Sequence, residues 1–164
     1  MKKLVLLRHG KAEPESPGGD RDRALAERGQ LAAAAAAQNI RQVLGVPDAA
    51  ISSPARRARQ TAQIVCAALE CLDRLTFDEA LYGADFPALL SVIRKAANEW
   101  GSLLIVGHNP GLEDAVGALV DRSSRSVALP TAAVAYLDLP ISKWKDAEPE
   151  CGKLKSLWTP RNGA

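Results

Sequence analysis

Two short runs of unbroken apolar residues, Leu4-Val5-Leu6-Leu7 and Leu103-Leu104-Ile105-Val106, constrain this chain more than any other feature. Each is too short for a helix and lacks the polar alternation of a strand with one wet face, so both read as strands buried on two sides. A sheet covered on both faces needs helices above and below it, and the intervening segments supply them. Residues 27–44 are alanine-rich, with Ala32 to Ala37 consecutive, and stop at Gly45 with Pro47 beyond, the expected ending of a helix. Ser53-Pro54 and Asn109-Pro110 each join a preferred N-cap to a proline at the first helical position. After them Ala58, Ala62, Val65, Cys66 and Leu69, and later Leu112, Ala115, Val116, Leu119 and Val120, recur at helical spacing. Phe86, Leu89, Leu90, Ile93 and Ala97 mark another amphipathic helix. Shorter strands are expected at residues 49–52, 75–77 and 134–139, with residues 153–158 as an exposed edge. The alternation predicts an α/β sandwich with a mostly parallel central sheet, built as one domain over residues 1–164.

Composition narrows the function classes. A chain of 164 residues has room for one sizeable core. Its formal net charge of +2 gives no case for nucleic acid or an anionic membrane. The three cysteines, Cys66, Cys71 and Cys151, show no CxxC spacing, so neither a disulfide framework nor a zinc site is expected. The start, Met1-Lys2-Lys3 before residues 4–7, mimics a signal peptide, but Arg8 ends the apolar run far short of the ~7–15 residues such a segment needs. No stretch approaches the ~18 apolar residues of a membrane span. A soluble, cytoplasmic protein is expected. Trp100, Trp144 and Trp158 read as packing residues, and Lys143, Lys145, Lys153 and Lys155 as solubilising charges near an edge.

The ends of the two buried runs direct attention to chemistry. One finishes in Arg8-His9-Gly10 and the other in Gly107-His108-Asn109-Pro110, and these are the chain's two histidines. In open α/β sheets ligands bind beyond the carboxyl ends of the strands, so both histidines could face one site. Gly10 and Gly107 would permit sharp turns or a close approach to a ligand. The helices opened by Ser53 and Asn109 would offer N–H groups and a positive dipole end to an anion. Arg57, in the first turns of the Ser53 helix, could add a guanidinium whose planar fork matches phosphate oxygens. Histidine is also a competent covalent nucleophile. By themselves these residues define an anion site with histidine.

Three motifs in order carry a resemblance: Leu6-Leu7-Arg8-His9-Gly10, then Ser52-Ser53-Pro54-x-x-Arg57-Ala58-x-Gln60-Thr61, then Val106-Gly107-His108-Asn109-Pro110-Gly111. Together they resemble the histidine phosphatase superfamily, which includes the phosphoglycerate mutases, over nearly the whole chain. The stretch Lys11-Ala12-Glu13-Pro14, the pattern Asp20-x-x-Arg23-x-Leu25, Leu81-Tyr82 and the terminal Leu157-Trp158-Thr159-Pro160 are most similar to the small SixA-type phosphohistidine phosphatases.

The resemblance implies a phosphoglycerate mutase-like sandwich without a helical lid insertion. It implies His9 as a transiently phosphorylated nucleophile, with Arg8, Arg57 and His108 holding the phosphoryl oxygens and stabilising charge. Glu79 is the carboxylate nearest the general-acid position of larger members, and Asp85 is a second candidate. Arg23 and Asn109 are further candidates for substrate contact. Ala26 stands where relatives usually cap the first helix with Thr or Ser, and no asparagine follows His9 as in the mutases. A phosphohistidine-bearing protein is the implied substrate, with no metal or other cofactor, since imidazole leaves a P–N bond with less demand for an acid than an alkoxide does. A phosphatase for a small phosphoester and a phosphate-binding module without turnover are the competing readings.

Overall fold

The computed structural model describes residues 1–120 and 127–160. Strand β1 (Lys2–Arg8) leads to α1 (Glu27–Val43), β2 (Ala49–Ser52), α2 (Arg56–Ala68), β3 (Leu75–Phe77) and α3 (Phe86–Arg94). Then follow β4 (Ser102–Gly107), α4 (Gly111–Leu119), β5 (Val134–Leu139) and β6 (Lys153–Trp158). The six strands form one sheet in the order β3-β2-β4-β1-β5-β6. The pairings from β3 through β1 are parallel, and β5 and β6 close the other edge antiparallel. This is the expected α/β sandwich with a mostly parallel sheet.

The period of two along each buried strand sends successive side chains to opposite faces. Leu4, Leu6, Leu103 and Ile105 pack with α3 and α4 around Trp144. Val5, Leu7, Leu104 and Val106 pack with α1 and α2. The alanine run gives α1 a small-residue face, Ala36 and Ala37 beside Ile40, that lies close on this second core. The exposed edge strand expected at residues 153–158 is β6, which alternates poorly and is largely exposed.

Two helix starts differ from expectation. α2 begins at Arg56 with Ala55 as its cap residue, and α4 begins at Gly111 after Pro110; neither has a side-chain cap. Ser53 and Asn109 are the right residue types for caps, but their side chains are engaged elsewhere. Ala26 does cap α1 without any side-chain bond.

Gly10 also differs in purpose. A Cβ on it would stand 2.7 Å from the carbonyl oxygen of Gly29 in α1, and one on Gly29 would stand 2.2 Å from the carbonyl oxygen of Lys11. The two glycines let the turn after β1 lie directly on the first turn of α1. Here two effects oppose each other. Alanine for glycine inside a helix is worth up to about 1 kcal/mol by propensity, whereas forcing volume into a tight backbone contact costs about 1–3 kcal/mol. Gly29→Ala should therefore destabilise the protein in a denaturant melt, despite improving the helix sequence. A higher midpoint would show that the contact relaxes freely.

Candidate active site

Strand β1 pairs with β4 so that Arg8 stands opposite Gly107, and the His9 N–H continues the pairing by donating to the Gly107 carbonyl at 3.1 Å. The two histidines thus leave the sheet side by side. Their ring centroids are 5.2 Å apart, with planes inclined at 57°. His9 is buried, and its Nδ1–H donates to the carbonyl of Gly10 at 2.8 Å. That bond fixes the tautomer and leaves the lone pair on Nε2.

Thr61 ties this turn to α2. Its Oγ1 accepts from the Gly10 N–H at 3.0 Å and donates to the Arg57 carbonyl at 2.8 Å. Arg57, buried one turn earlier on α2, is brought to the same place. Ser53 serves His108 instead of a helix: its Oγ accepts from the Ala55 N–H at 3.2 Å and lies 2.8 Å from His108 Nε2. That contact holds the His108 ring by Nε2 and turns Nδ1 to the other side.

A second segment closes the far side. The Leu129 carbonyl accepts from Arg8 Nη1 at 3.0 Å and from Asn109 Nδ2 at 2.8 Å, while the Leu129 N–H donates to the Glu113 carboxylate at 2.7 Å. Asn109 is thereby anchored to the protein's own backbone.

Among the described residues, the buried side-chain polar atoms without a hydrogen-bond partner are Arg8 Nε, Arg57 Nε, His108 Nδ1 and Asn109 Oδ1. All four belong to the residues gathered here. An unsatisfied buried polar group costs about 1–3 kcal/mol. Two of the four are guanidinium N–H donors, and His108 Nδ1 is a third nitrogen beside them, suited to the oxygens of an anion.

Burial and positive surroundings keep both imidazoles neutral. Desolvation lowers the His9 pKa to about 3, with His108, Arg57 and Arg8 adding to the effect against the Gly10 carbonyl. Desolvation and then Arg57 lower that of His108 to about 4, against an opposing pull from Asp20. Neutral His9 has the free electron pair that a nucleophile needs.

Of the other candidates, Glu79 and Asp85 are exposed and Arg23 is half-buried. Glu79 is exposed and gripped through both carboxylate oxygens by Arg21, whose Nη2 lies 2.7 Å from Oε2. That pairing holds its pKa below the usual carboxylate range. Asp85 caps α3 by accepting from the Ala88 N–H at 3.0 Å. Arg23 donates to Asp20 Oδ1 at 3.1 Å and to the Glu13 carbonyl at 3.0 Å. Asp20 and Tyr82, which sequence reasoning noted without giving them chemistry, join this group. The Tyr82 hydroxyl donates to Asp20 Oδ2 at 2.7 Å, and its ring meets His108 edge-on at 5.7 Å. Residues 78–85, which join β3 to α3, hold a single 3₁₀ turn (Glu79–Leu81) and no helical lid.

Residues 4–100 match the family description of the histidine phosphatase superfamily, branch 1. The chain belongs to that family and is a phosphatase of the superfamily. An uncharacterised protein of Mycobacterium tuberculosis strain CDC 1551 is 31% identical over 94% of this chain and 100% of its own length. A structure from Agrobacterium tumefaciens, assigned as the phosphohistidine phosphatase SixA, superposes with a TM-score of 0.81 at 29% identity, covering 97% of this chain and 98% of that one. Another so assigned, from Nakamurella multipartitia, gives 0.82 at 28% identity over 98% and 96%. These likenesses set the chain in the SixA-type branch. No helix among the described residues is long and apolar enough to cross a membrane.

The neutral histidines have a measurable consequence for stability. Their ordinary pKa is 6.5, against about 3 and about 4 in the folded protein. As pH falls below 6.5 the unfolded chain binds protons that the folded chain refuses, so stability falls with acid until the folded values are reached. A His9→Gln, His108→Gln double variant should lose less stability than the parent between about pH 7 and pH 4.5 in urea melts. Equal acid losses in the two proteins would show that these rings are not the cause.

Proposed function

We propose that this phosphatase hydrolyses phosphohistidine carried on a protein, through a phosphohistidine intermediate on His9. The observation that carries the reading is a buried, neutral His9 with its Nδ1 proton committed to Gly10, among unpartnered nitrogens of Arg8, Arg57 and His108. In the first step His9 Nε2 forms a bond to phosphorus as the bond from phosphorus to the substrate's ring nitrogen breaks. The bonding pair returns to that nitrogen, and a substrate ring protonated on its other nitrogen departs as neutral imidazole. In the second step water attacks phosphorus, the bond to His9 breaks, and dihydrogen phosphate leaves a neutral His9. Arg8, Arg57 and His108 hold the equatorial oxygens, so that stabilisation of charge and position supplies most of the rate.

The carboxylates support a leaving group that needs no acid. Glu79 is held ionised by Arg21 and Asp85 is committed to α3, so neither is suited to protonate a leaving alkoxide. Imidazole makes no such demand. Arg23 and Asn109 act at one remove in this reading, through Asp20 and the Leu129 carbonyl. The chemistry uses side chains of the chain itself and calls for no metal.

The test compares release of phosphate from a phosphohistidine-bearing protein and from small phosphoesters, with and without EDTA. Turnover of the phosphohistidine protein should dominate and be unchanged by the chelator. Higher kcat/KM on a phosphoester than on every phosphohistidine protein tried would replace this reading with the phosphoester one. Phosphate binding without turnover would leave only a binding module.

Variants test the roles. His9→Ala should abolish turnover and the acid-labile phosphoenzyme while keeping the fold by circular dichroism. Arg57→Ala and His108→Ala should each lose about 10²–10³-fold in kcat, as single oxyanion donors do. Turnover surviving in His9→Ala would require another nucleophile.

A further inference from the structure

We infer that the Asp20 carboxylate makes this site selective for a leaving group that carries positive charge, and so favours N-phosphoryl imidazolium over phosphoesters. The inference rests on the phosphohistidine reading above and adds to it the residue that sets the preference. Asp20 opens a 3₁₀ turn (Asp20–Asp22) in the loop after β1. Its Oδ2 accepts from Tyr82 Oη at 2.7 Å and Arg57 Nη2 at 3.2 Å, and its Oδ1 accepts from Arg23 Nε at 3.1 Å. The backbone carbonyl of Asp20 accepts from Arg57 Nη1 at 2.8 Å. Three side chains from separate segments thus pin one carboxylate. Both outer nitrogens of Arg57 are engaged by Asp20, and its buried Nε is left for another partner.

The place of this charge decides its effect. The Arg57 side chain is 7% exposed and that of Asp20 is 53% exposed, so the carboxylate forms the outer, wet side of their ion pair. His9 is buried, and its neighbour His108 feels the Asp20 charge. In-line transfer requires the leaving group to depart opposite the attacking nitrogen, and a group carried on a protein must depart toward solvent. In this proposal it passes Asp20, which is the carboxylate joined to Arg57 and Tyr82 on the wet side and acting on His108. The groups facing the carboxylate are Arg57 from α2, Arg23 from its own loop, Tyr82 after β3, and His108 beyond β4, which feels its charge.

A fixed negative charge acts with opposite sign on the two substrate classes. An alkoxide gathers negative charge as it leaves and is repelled, whereas a phosphohistidine ring protonated on its remote nitrogen is attracted. The proton stays on that ring throughout, and the P–N bonding pair neutralises the imidazolium as the bond breaks. Asp20 takes no proton: the Tyr82 hydrogen bond, and then Arg57 and Arg23, hold its pKa at about 2. It acts as an electrostatic partner of the leaving group.

Asp20→Asn removes the charge and keeps an oxygen for Tyr82. The variant should lose about tenfold in kcat/KM on a phosphohistidine peptide, the factor of one pKa unit of differential interaction. Its kcat/KM on p-nitrophenyl phosphate should hold or rise, and inhibition by inorganic phosphate should tighten. The alkaline limb of the phosphohistidine pH profile should move to lower pH, because the substrate imidazolium loses its anionic partner. Asp20→Glu should recover part of the preference. Equal losses on both substrates, or an unmoved alkaline limb, would overturn the role of Asp20 and leave the phosphohistidine reading standing. No phosphohistidine turnover by the parent enzyme would overturn both.

Discussion

The parallel pairing of β1 with β4 is the constraint on which the site depends. Leu7 stands beside Val106 and Arg8 beside Gly107, so two histidines distant in sequence leave the sheet at the same level. A slip of one residue would send every buried side chain of β1 to the wrong face, so hydrophobic burial holds the register. Leu4 and Leu6 belong to one core and Val5 and Leu7 to the other. The energy that fixes the strand therefore also sets the distance between the two imidazoles.

Around that pair the protein keeps strongly polar groups partly unsatisfied. Arg8 uses its Nη1 and Arg57 both outer nitrogens on protein oxygens, and each retains a buried Nε without a partner. The local field and burial remove the charge from the histidines while the guanidiniums remain to attract an anion. Sites that place charge in advance of the reaction avoid reorganising during it. The pinned Asp20 belongs to the same arrangement with the opposite sign. It balances the cradle from outside, where it leaves Arg57 Nε free.

Much of the fold was legible because burial writes itself into short sequences. The strand expected at residues 49–52 is Ala49–Ser52, and that at residues 134–139 is Val134–Leu139. The meeting of His9 and His108 was legible too, from two strand ends and a general rule about where open sheets bind ligands. What could not be read was the use of side chains whose type suits more than one task. Ser53 before proline has the form of a helix cap, yet its hydroxyl is turned to His108, far along the chain. Glu79 has the position of an acid, but its state is set by Arg21, which lies in a different loop. Gly10 has the form of a ligand-approach glycine, and its need comes from the neighbouring helix. Each of these depends on a contact between segments that no local pattern records.

The backbones that carry the two histidines turn toward different layers, while Thr61 in α2 holds Gly10 and Ser53 just ahead of α2 holds the His108 ring. His9 is fixed through Gly10 and Thr61 to the side of the sheet that carries α1 and α2. His108 leads directly into α4 on the opposite side, where its carbonyl accepts from the Leu112 N–H. The site therefore straddles the rim of the sheet: the strand register sets the spacing of the rings, and the layers on both faces bear on the site through the turns that leave β1 and β4.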